Sequence, residues 1–325
     1  MHRTVHVKPE RGRPILLSLG IGLLIAALLL LWPMPDMSRL FRYGMDFLHT
    51  PFFALFAFLL DQKRRRHQHE NSCNLFFFWI LLLILALGLE AAQSWVGRDS
   101  NWHDGLANIL GITAGILFSF SHAMGNLSRK WLPRLLAILL IIAGCLYGVR
   151  GIWDTLQARY DFPVLADFES TDELLRWQTR EAQLTQSSEH AVTGKFSGRL
   201  VLGVGRYPGV SIELPANDWS VYRWLKIDIV WPNKNSSSHV PHRVPKTLAL
   251  RLKLEDQGPS NSIDDRFEST VLIHPGNNQI KIPLTEIANG PDNRLLRLDA
   301  MSTLSLFVTD LKNSHTLFID RIRLE

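Results

Sequence analysis

Apolar residues form long runs in residues 1–150 of the chain and short alternating stretches in the remainder. Five of the long runs predict helices long enough, or nearly so, to cross a bilayer, which needs about 20 residues of helix. They are residues 15–32, 40–60, 75–92, 105–120 and 135–149. The first run is too long for the core of a typical signal peptide and no Ala-x-Ala site follows it, so we expect it to be retained. Two glycine pairs at four-residue spacing, Gly111 with Gly115 and Gly144 with Gly148, predict close helix contacts.

The second part of the chain has the pattern of a sheet protein. Turn signals such as Tyr207-Pro208-Gly209 and Gly290-Pro291-Asp292 separate short stretches that alternate or are rich in β-branched residues. Such spacing predicts an antiparallel β-sandwich, most simply a jelly roll. The stretches are residues 199–204, 210–214, 225–230, 248–255, 269–273, 279–284, 304–308 and 317–324. The expected fold is therefore a multidomain membrane protein, with an all-α transmembrane bundle of five helices and an all-β jelly-roll sandwich.

Composition and charge follow the same division. The whole chain is 46% hydrophobic and 20% charged, which alone would suit a soluble protein. About 55% of residues 1–150 are apolar, against about 38% of the rest. The formal charge of +5 is unevenly distributed. Residues 1–150 contain 15 Lys and Arg against 8 Asp and Glu, a charge of +7, whereas the remaining residues contain 20 against 22, a charge of −2. The basic excess lies in short loops between apolar runs, so a nucleic-acid partner is excluded. The 2 cysteines exclude a disulfide framework.

The basic residues also predict an orientation. Eleven Lys and Arg lie in the N-terminus, in residues 61–74 and in residues 122–134, whereas the opposite loops hold three, Arg39, Arg42 and Arg98. The positive-inside rule then places residues 1–14 in the cytoplasm and everything after Val149 outside the cytoplasmic membrane. The expected domains are a transmembrane domain (15–150), a linker (151–162) and an extracytoplasmic sandwich (163–325).

Ionisable and amide residues collect at the outer ends of the predicted helices. Such residues are costly at membrane depth, so each needs a partner or a function. Spacings of three or four residues place several of them on common helical faces. We expect an outward-facing polar pocket formed by Asp46, His49, Glu90, Gln93, Arg98, Asp104 and Asn108.

The order of these residues resembles the VanZ-like membrane domain, a family named for a protein linked to resistance to the glycopeptide teicoplanin. The resemblance covers about residues 15–150 and is carried by Glu90-x-x-Gln93, Arg98, Asp104-x-x-x-Asn108-x-x-Gly111-x-x-x-Gly115, preceded by Asp46 and His49. The family usually has a basic residue directly after the aspartate, whereas Phe47 stands here. The resemblance implies no particular reaction.

Three roles for the polar pocket are open from the residues alone. The pocket could be a hydrogen-bonded network that joins the helices. It could bind a lipid headgroup, with Arg98 on phosphate and His49 as a general acid or base. It could also relay protons in a transporter through the acids and His49.

The second part of the chain resembles galactose-binding-like β-sandwiches, a group that includes carbohydrate-binding modules. The resemblance is carried by Asp167-Phe168-Glu169, Ser197-Gly198-Arg199-Leu200, Tyr207-Pro208-Gly209, residues 218–228 and Phe318-Ile319-Asp320-Arg321-Ile322. It implies a possible structural calcium ion held by Glu169 and Asp320, since Ca²⁺ prefers carboxylate oxygens; no other cofactor is implied. Among the aromatic residues, Tyr207 and Phe267 are the candidates for a sugar-binding surface, and the others are expected in the core.

These patterns predict an integral cytoplasmic-membrane protein that displays a carbohydrate-binding module outside the cell or in the periplasm and acts in cell-envelope or exopolysaccharide biology. Expected partners are a membrane lipid or lipid-linked glycan, a polysaccharide and a cell-envelope protein. The sandwich lacks glycosidase-like paired carboxylates and a nucleophile elbow, so we expect no enzyme there. Two alternatives stay open: an enzyme or transporter acting on a polyprenyl-phosphate carrier, and an anchor whose outer domain binds a protein.

Overall fold

The computed structural model describes residues 38–67, 75–95, 102–124, 127–215, 218–232, 247–257 and 263–325. The first predicted helix, residues 15–32, lies outside the described residues. The chain divides into two compact units, Met1–Val149 and Arg150–Glu325.

The first unit is built from helices. They are α1 (Arg39–His67), α2 (Leu75–Trp95), α3 (Trp102–Ala123) and α4 (Leu127–Tyr160), of which α4 continues into the second unit. Three segments are long and apolar enough to cross a membrane, Arg39–Arg65, Trp102–Ala123 and Arg129–Tyr160, and the apolar part of α2, Leu75–Gly88, is shorter. The described residues therefore contain three candidate spans, and a bundle of five stays a prediction.

Glycines bring α1 close to two other helices. A Cβ atom on Gly111 would lie 2.5 Å from the carbonyl oxygen of Thr50, and one on Gly115 would lie 2.1 Å from that of Ala54. In α4, a Cβ atom on Gly148 would lie 2.6 Å from the backbone nitrogen of Phe47. Both glycine pairs thus face α1, as their spacing predicts, and larger residues could not occupy these positions without moving the helices apart.

Most of the predicted linker, residues 151–162, is helical, because α4 continues to Tyr160. Ion pairs join the end of α4 to the 3₁₀ turn Thr171–Arg176. Asp154 lies 3.2 Å from Nε of Arg176, and both side chains are buried. Arg150 donates to Asp172 from Nε at 2.6 Å. These pairs hold the last turns of the helix against the sandwich of the same unit.

The second unit is an antiparallel two-sheet sandwich, as predicted. The strands are β1 (Val164–Ala166), β2 (Trp177–Arg180), β3 (Ala182–Ser187), β4 (Ser197–Leu202), β5 (Gly209–Glu213), β6 (Trp224–Trp231), β7 (Leu248–Asp256), β8 (Phe267–Ile273), β9 (Gly276–Pro283), β10 (Met301–Phe307) and β11 (His315–Leu324). A short helix, α5 (Leu284–Ala288), follows β9. One sheet has the order β3-β4-β11-β6-β9, with β1 beside β11, and the other has the order β2-β5-β10-β7-β8.

The inner faces of the two sheets form one apolar core. Leu250, Leu252 and Leu254 of β7 are at most 1% exposed, whereas the residues between them are partly exposed. This alternation is typical of strands whose one face packs against a second sheet. Trp219 and Trp231 are also buried in this core, as expected for framework aromatics.

Candidate functional site

The outer face of the five-stranded sheet carries the candidate site. Side chains alternate between the two faces of a strand, so Arg251 and Lys253 of β7 point away from the core that the intervening leucines fill. The strand pairing brings outward residues of all five strands into two rows. The first row is Arg180, Gly209, Phe307, Arg251 and Thr270; the second is Gln178, Ser211, Ser305, Lys253 and Glu268.

These two rows form the floor of an open groove of about 490 Å³, which we call the sheet groove. Neighbouring strands are about 4.8 Å apart, so a row across five strands extends roughly 19 Å. The groove is lined by Gln178, Thr179, Arg180, Tyr207, Gly209, Val210, Ser211, Arg251, Lys253, Arg266, Glu268, Ser305 and Phe307. Its volume falls within the range of ligand-binding clefts.

Two aromatic rings in the groove are bordered by guanidinium groups. Tyr207 and Phe307 pack edge to face, with ring centroids 6.2 Å apart. The guanidinium carbons of Arg180 and Arg206 lie 5.5 Å and 5.2 Å from the centre of the Tyr207 ring. That of Arg251 lies 5.7 Å from the centre of the Phe307 ring. Cation–π attraction therefore holds three arginines beside the two rings.

Gly209 makes room for this aromatic pair. It stands between Arg180 and Phe307 in the first row, and a Cβ atom there would lie 2.5 Å from Cβ of Phe307. A larger residue at this position would displace the ring. The close approach that a glycine permits is thus part of how the groove is built.

A network of charged residues on and next to β7 and β8 lies beside the aromatic pair. The carboxylate of Glu268 accepts from Nη2 of Arg251 at 2.6 Å and from Nη2 of Arg266 at 2.7 Å. Lys253 pairs with Glu255 at 2.9 Å. In the centre, the hydroxyl of Ser211 donates to that of Ser305 at 2.8 Å. The side chains are thereby fixed in place around the groove floor.

The two predicted sugar-binding aromatics have different locations. Tyr207 lines the sheet groove. The expectation for Phe267 is wrong, because this side chain is only 4% exposed and belongs to the core. Phe267 precedes the outward-facing Glu268 in β8, so strand alternation turns it inward. Sequence reasoning missed Phe307, Arg180, Arg251 and Lys253; the polar positions between the leucines of β7 were the available signal.

Glu169 and Asp320 bind backbone amides of one loop. Asp320 accepts through Oδ2 from the N–H groups of Val192 and Thr193, at 2.6 Å and 2.8 Å, and through Oδ1 from that of Arg321 at 2.7 Å. Oε1 of Glu169 accepts from the two N–H groups of residues 195 and 196. Burial raises the pKa of Asp320 above its usual range. Both carboxylates thus serve as acceptors for backbone amides, and neither belongs to a group of three or more potential metal ligands within the described residues, so the calcium site stays a prediction.

In the helical unit, three of the predicted pocket residues come together. One ligand atom each from Asp46, His49 and Asp104 lies within 4.8 Å of the others. Nδ1 of His49 is 3.2 Å from Oδ1 of Asp104, and both side chains are buried. Such a carboxylate–imidazole pair fixes the tautomer of the ring. A nitrogen and two carboxylate oxygens at this distance could also hold a divalent cation.

The other predicted pocket residues are only partly described. Asn108 lies one helical turn after Asp104 in α3 and is 3% exposed, and its Oδ1 has no hydrogen-bond partner among the described residues. Glu90 is half-buried in α2. Gln93 lies in the same helix, but its side chain is outside the description, and Arg98 lies outside the described residues. The pocket as a whole stays a prediction.

No family model matches the chain, and no curated protein matches it. Several solved structures are similar to it. A family 11 carbohydrate-binding module from Clostridium thermocellum, solved with a β-1,3-1,4-mixed-linked tetrasaccharide, is 19% identical, with a TM-score of 0.37, over 50% of this chain and 93% of that one. A xylan-binding domain of carbohydrate-binding-module family 22 is 14% identical, with a TM-score of 0.32, over 50% and 95%. An exo-β-agarase is 19% identical, with a TM-score of 0.39, over 50% and 24%. Similarity at this level identifies neither a family nor a ligand for this chain.

Proposed function

We propose that this chain is a membrane-anchored polysaccharide-binding protein whose ligand lies in the sheet groove. The observation that carries the proposal is the pair of side-chain rows, which cross all five strands and present aromatic, hydroxyl, amide and charged groups side by side. Sugars are bound through aromatic contacts flanked by a few oriented polar groups. A row of roughly 19 Å accommodates several consecutive sugar units of one chain.

The helical unit supports the membrane part of the proposal. Three segments are apolar and long enough to cross a bilayer, and large side chains such as Phe77, Leu85 and Leu139 are more than half exposed in this unit. Exposed apolar surface of this extent is costly in water and is favourable in lipid. The distribution of basic residues supports a cytoplasmic N-terminus and an extracytoplasmic sandwich, and the proposed setting is the cell envelope. We also propose that the helical unit is a VanZ-like membrane domain, on the resemblance of its polar residues to that family.

Glycan binding by the full chain in lipid nanodiscs tests the proposal. We expect specific retention of at least one polysaccharide from a panel of neutral and charged plant, algal and bacterial glycans. Tyr207→Ala and Phe307→Ala should each weaken binding about tenfold, the effect of losing about 1.4 kcal/mol of contact energy. Trp224→Ala is the matched control, because Trp224 also lies under a cation, Lys281 at 4.0 Å, but on the other sheet. No binding to any glycan, together with tight binding to an envelope protein, would refute the proposal.

A second function rests on the buried His49–Asp104 pair. An imidazole whose tautomer is set by a carboxylate is suited to proton transfer. The pair therefore favours an enzyme or transporter that acts on a lipid-linked carrier, such as a polyprenyl phosphate, with His49 transferring the proton. Lipid that copurifies with the chain would be identified by mass spectrometry and compared with that of His49→Gln. His122→Gln is the control, because His122 lies exposed at the other end of α3. Equal recovery of the same lipids from all three proteins would argue against this function.

A further inference from the structure

We propose that the sheet groove takes an anionic glycan, one whose sugars carry carboxylate or sulfate groups; this inference rests on the proposed function. Four lining side chains are cationic, Arg180, Arg251, Lys253 and Arg266, and one, Glu268, is a carboxylate, which leaves a formal surplus of three positive charges. The surplus occurs in a part of the chain, residues 151–325, that holds 20 Lys and Arg against 22 Asp and Glu. Positive charge is therefore concentrated at the groove.

The carboxylates near the groove are already engaged. Glu268 is held by two arginines, and Glu255, outside the lining, pairs with Lys253. Oε2 of Glu181 accepts the backbone N–H of Tyr207 at 3.2 Å. Arg180, by contrast, has no carboxylate within ion-pair distance in the part of the chain that the structure describes. Its guanidinium, on an exposed residue, is thus available to a ligand.

In the groove lining, side chains that only donate hydrogen bonds outnumber those that only accept them, four to one. Arginine and lysine side chains only donate, and the main acceptor, Glu268, is occupied by guanidinium groups. The hydroxyls of Ser211 and Ser305 bond to each other. A neutral sugar presents hydroxyl groups that both donate and accept, whereas carboxylates and sulfates only accept. The groove is therefore complementary to acceptor-rich ligands, and a guanidinium can bind such groups through two parallel hydrogen bonds.

The arginines around the two aromatic rings also favour an anionic sugar over a neutral one. Two guanidinium groups lie over the Tyr207 ring, and a third lies over Phe307. A sugar that approaches Tyr207 meets positive charge together with the ring. A carboxylate or sulfate on that sugar would pair with Arg180 while the sugar packs against the aromatic edge.

The placement of the groove favours a glycan over an acidic peptide. Extended peptides commonly bind by adding a strand to a free sheet edge, where the backbone hydrogen bonds are available. The two rows instead cross the strands on the face of the sheet, and their contacts come from side chains. We therefore assign the site to a polysaccharide and make peptide binding an outcome of the test.

The test compares charged polysaccharides with neutral forms of the same backbone. The full chain in nanodiscs is presented with polygalacturonate and its methyl ester, and with κ-carrageenan and its desulfated form. We expect at least one charged form to bind about tenfold more tightly than its neutral counterpart. The difference should shrink as NaCl rises from about 50 mM to about 500 mM, because salt screens partly exposed charges.

Three single-residue variants test whether the charged glycan binds in the sheet groove. Arg180→Gln should lower the affinity for the charged form about threefold or more, and by a larger factor than it lowers the affinity for the neutral form; it removes no ion pair, so folding is preserved. Arg297→Gln is the matched control, since Arg297 is 62% exposed and pairs with Asp299 outside the groove lining. Lys63→Gln controls for the basic cluster of the helical unit.

Each outcome bears on one of the two proposals. Equal affinity for charged and neutral forms would overturn the anionic preference and leave the proposed function standing. A charge preference that survives Arg180→Gln and is lost in Lys63→Gln would place the binding outside the groove and overturn the inference. Binding of polyglutamate as tight as that of polygalacturonate would overturn the assignment to a glycan. Failure to bind any glycan would refute the proposed function itself.

Discussion

Glu173 should make the sandwich less stable as the pH rises through neutrality. The side chain is 2% exposed, and its Oε2 accepts the N–H of Phe168 at 2.9 Å and lies 3.5 Å from Nη2 of Arg176. Burial raises the pKa of this carboxyl from 4.5 to about 7, although Arg176 and the backbone N–H donors act in the opposite direction. The folded state therefore holds a proton that the unfolded state releases at lower pH.

The sign and size of the effect follow from that difference. Below about pH 4.5 the carboxyl is protonated in both states, and its full contribution to the free energy of unfolding is present. Between about pH 4.5 and pH 7 the carboxyl is ionised in the unfolded state but still protonated in the folded state, so the free energy of unfolding falls. A difference of about 2.5 pKa units corresponds to about 3 kcal/mol, since one unit is about 1.4 kcal/mol. Above about pH 7 both states are ionised and this group adds no further slope.

The perturbation is Glu173→Gln, which retains an acceptor oxygen for the backbone N–H groups and cannot ionise. Urea unfolding of the full chain in detergent micelles, followed by tryptophan fluorescence between pH 4.5 and pH 8, gives the free energy of unfolding of each protein. Relative to the variant, the original chain should lose about 3 kcal/mol across this range. Glu189→Gln, at an exposed position, should retain the slope of the original chain. Parallel pH profiles for the original chain and Glu173→Gln would refute the reasoning.

Three further substitutions test the packing inside each unit: two in the sandwich and one among the helices. Arg294→Ala should destabilise the sandwich by about 3 kcal/mol in urea unfolding, because the paired carboxylate of Asp256 has 1% of its side chain exposed and would lose both guanidinium bonds. Gly115→Ala should lower the thermal stability of the helical unit in detergent, whereas Gly88→Ala, where a Cβ atom meets nothing within 4 Å, should not. Phe267→Ala should cost about 3–5 kcal/mol of stability while the remaining folded protein binds glycan normally; reduced binding without lost stability would restore Phe267 as a ligand residue.

The strands with apolar alternation were predictable, and the polar ones were not. All eight predicted stretches correspond to strands, for example residues 248–255 to β7 and residues 225–230 to β6. The three missed strands are short or polar: β1 has three residues, β2 has the sequence WQTR and β3 has AQLTQS. Their formation depends on pairing with neighbours, β3 with β4 and β2 with β5, which local sequence does not contain.

In the helical unit too, some features can be predicted from the sequence and others depend on how the helices pack. Glycine spacing predicted which faces pack, because the contact depends on small residues alone. The basic run at residues 63–66 predicts the orientation of the chain in the membrane, yet Arg64 and Arg65 also lie 2.7 Å from the carboxylate of Asp61, which is fully buried. That pairing follows from spacings of three and four residues on one helix and was within reach of the sequence. The juxtaposition of His49 with Asp104, 55 positions apart, required the packing of α1 against α3.

The net charge of a domain is a poor guide to the local charge on one sheet face, as the sheet groove illustrates. Residues 151–325 carry a formal charge of −2, with 20 basic and 22 acidic residues, and on that count an anionic ligand is disfavoured. Strand alternation places Arg251 and Lys253 on the outer face of β7, and strand order then puts them on the same sheet face as Arg180, which lies three strands away in β2 and about 70 positions away in sequence. Meanwhile buried acids such as Asp256 and Asp320 are used within the fold, by Arg294 and by backbone amides. Several acidic residues are thus paired in the interior while basic ones lie on one sheet face, so the register of the strands, and not the sum of charges, sets the local charge of the groove.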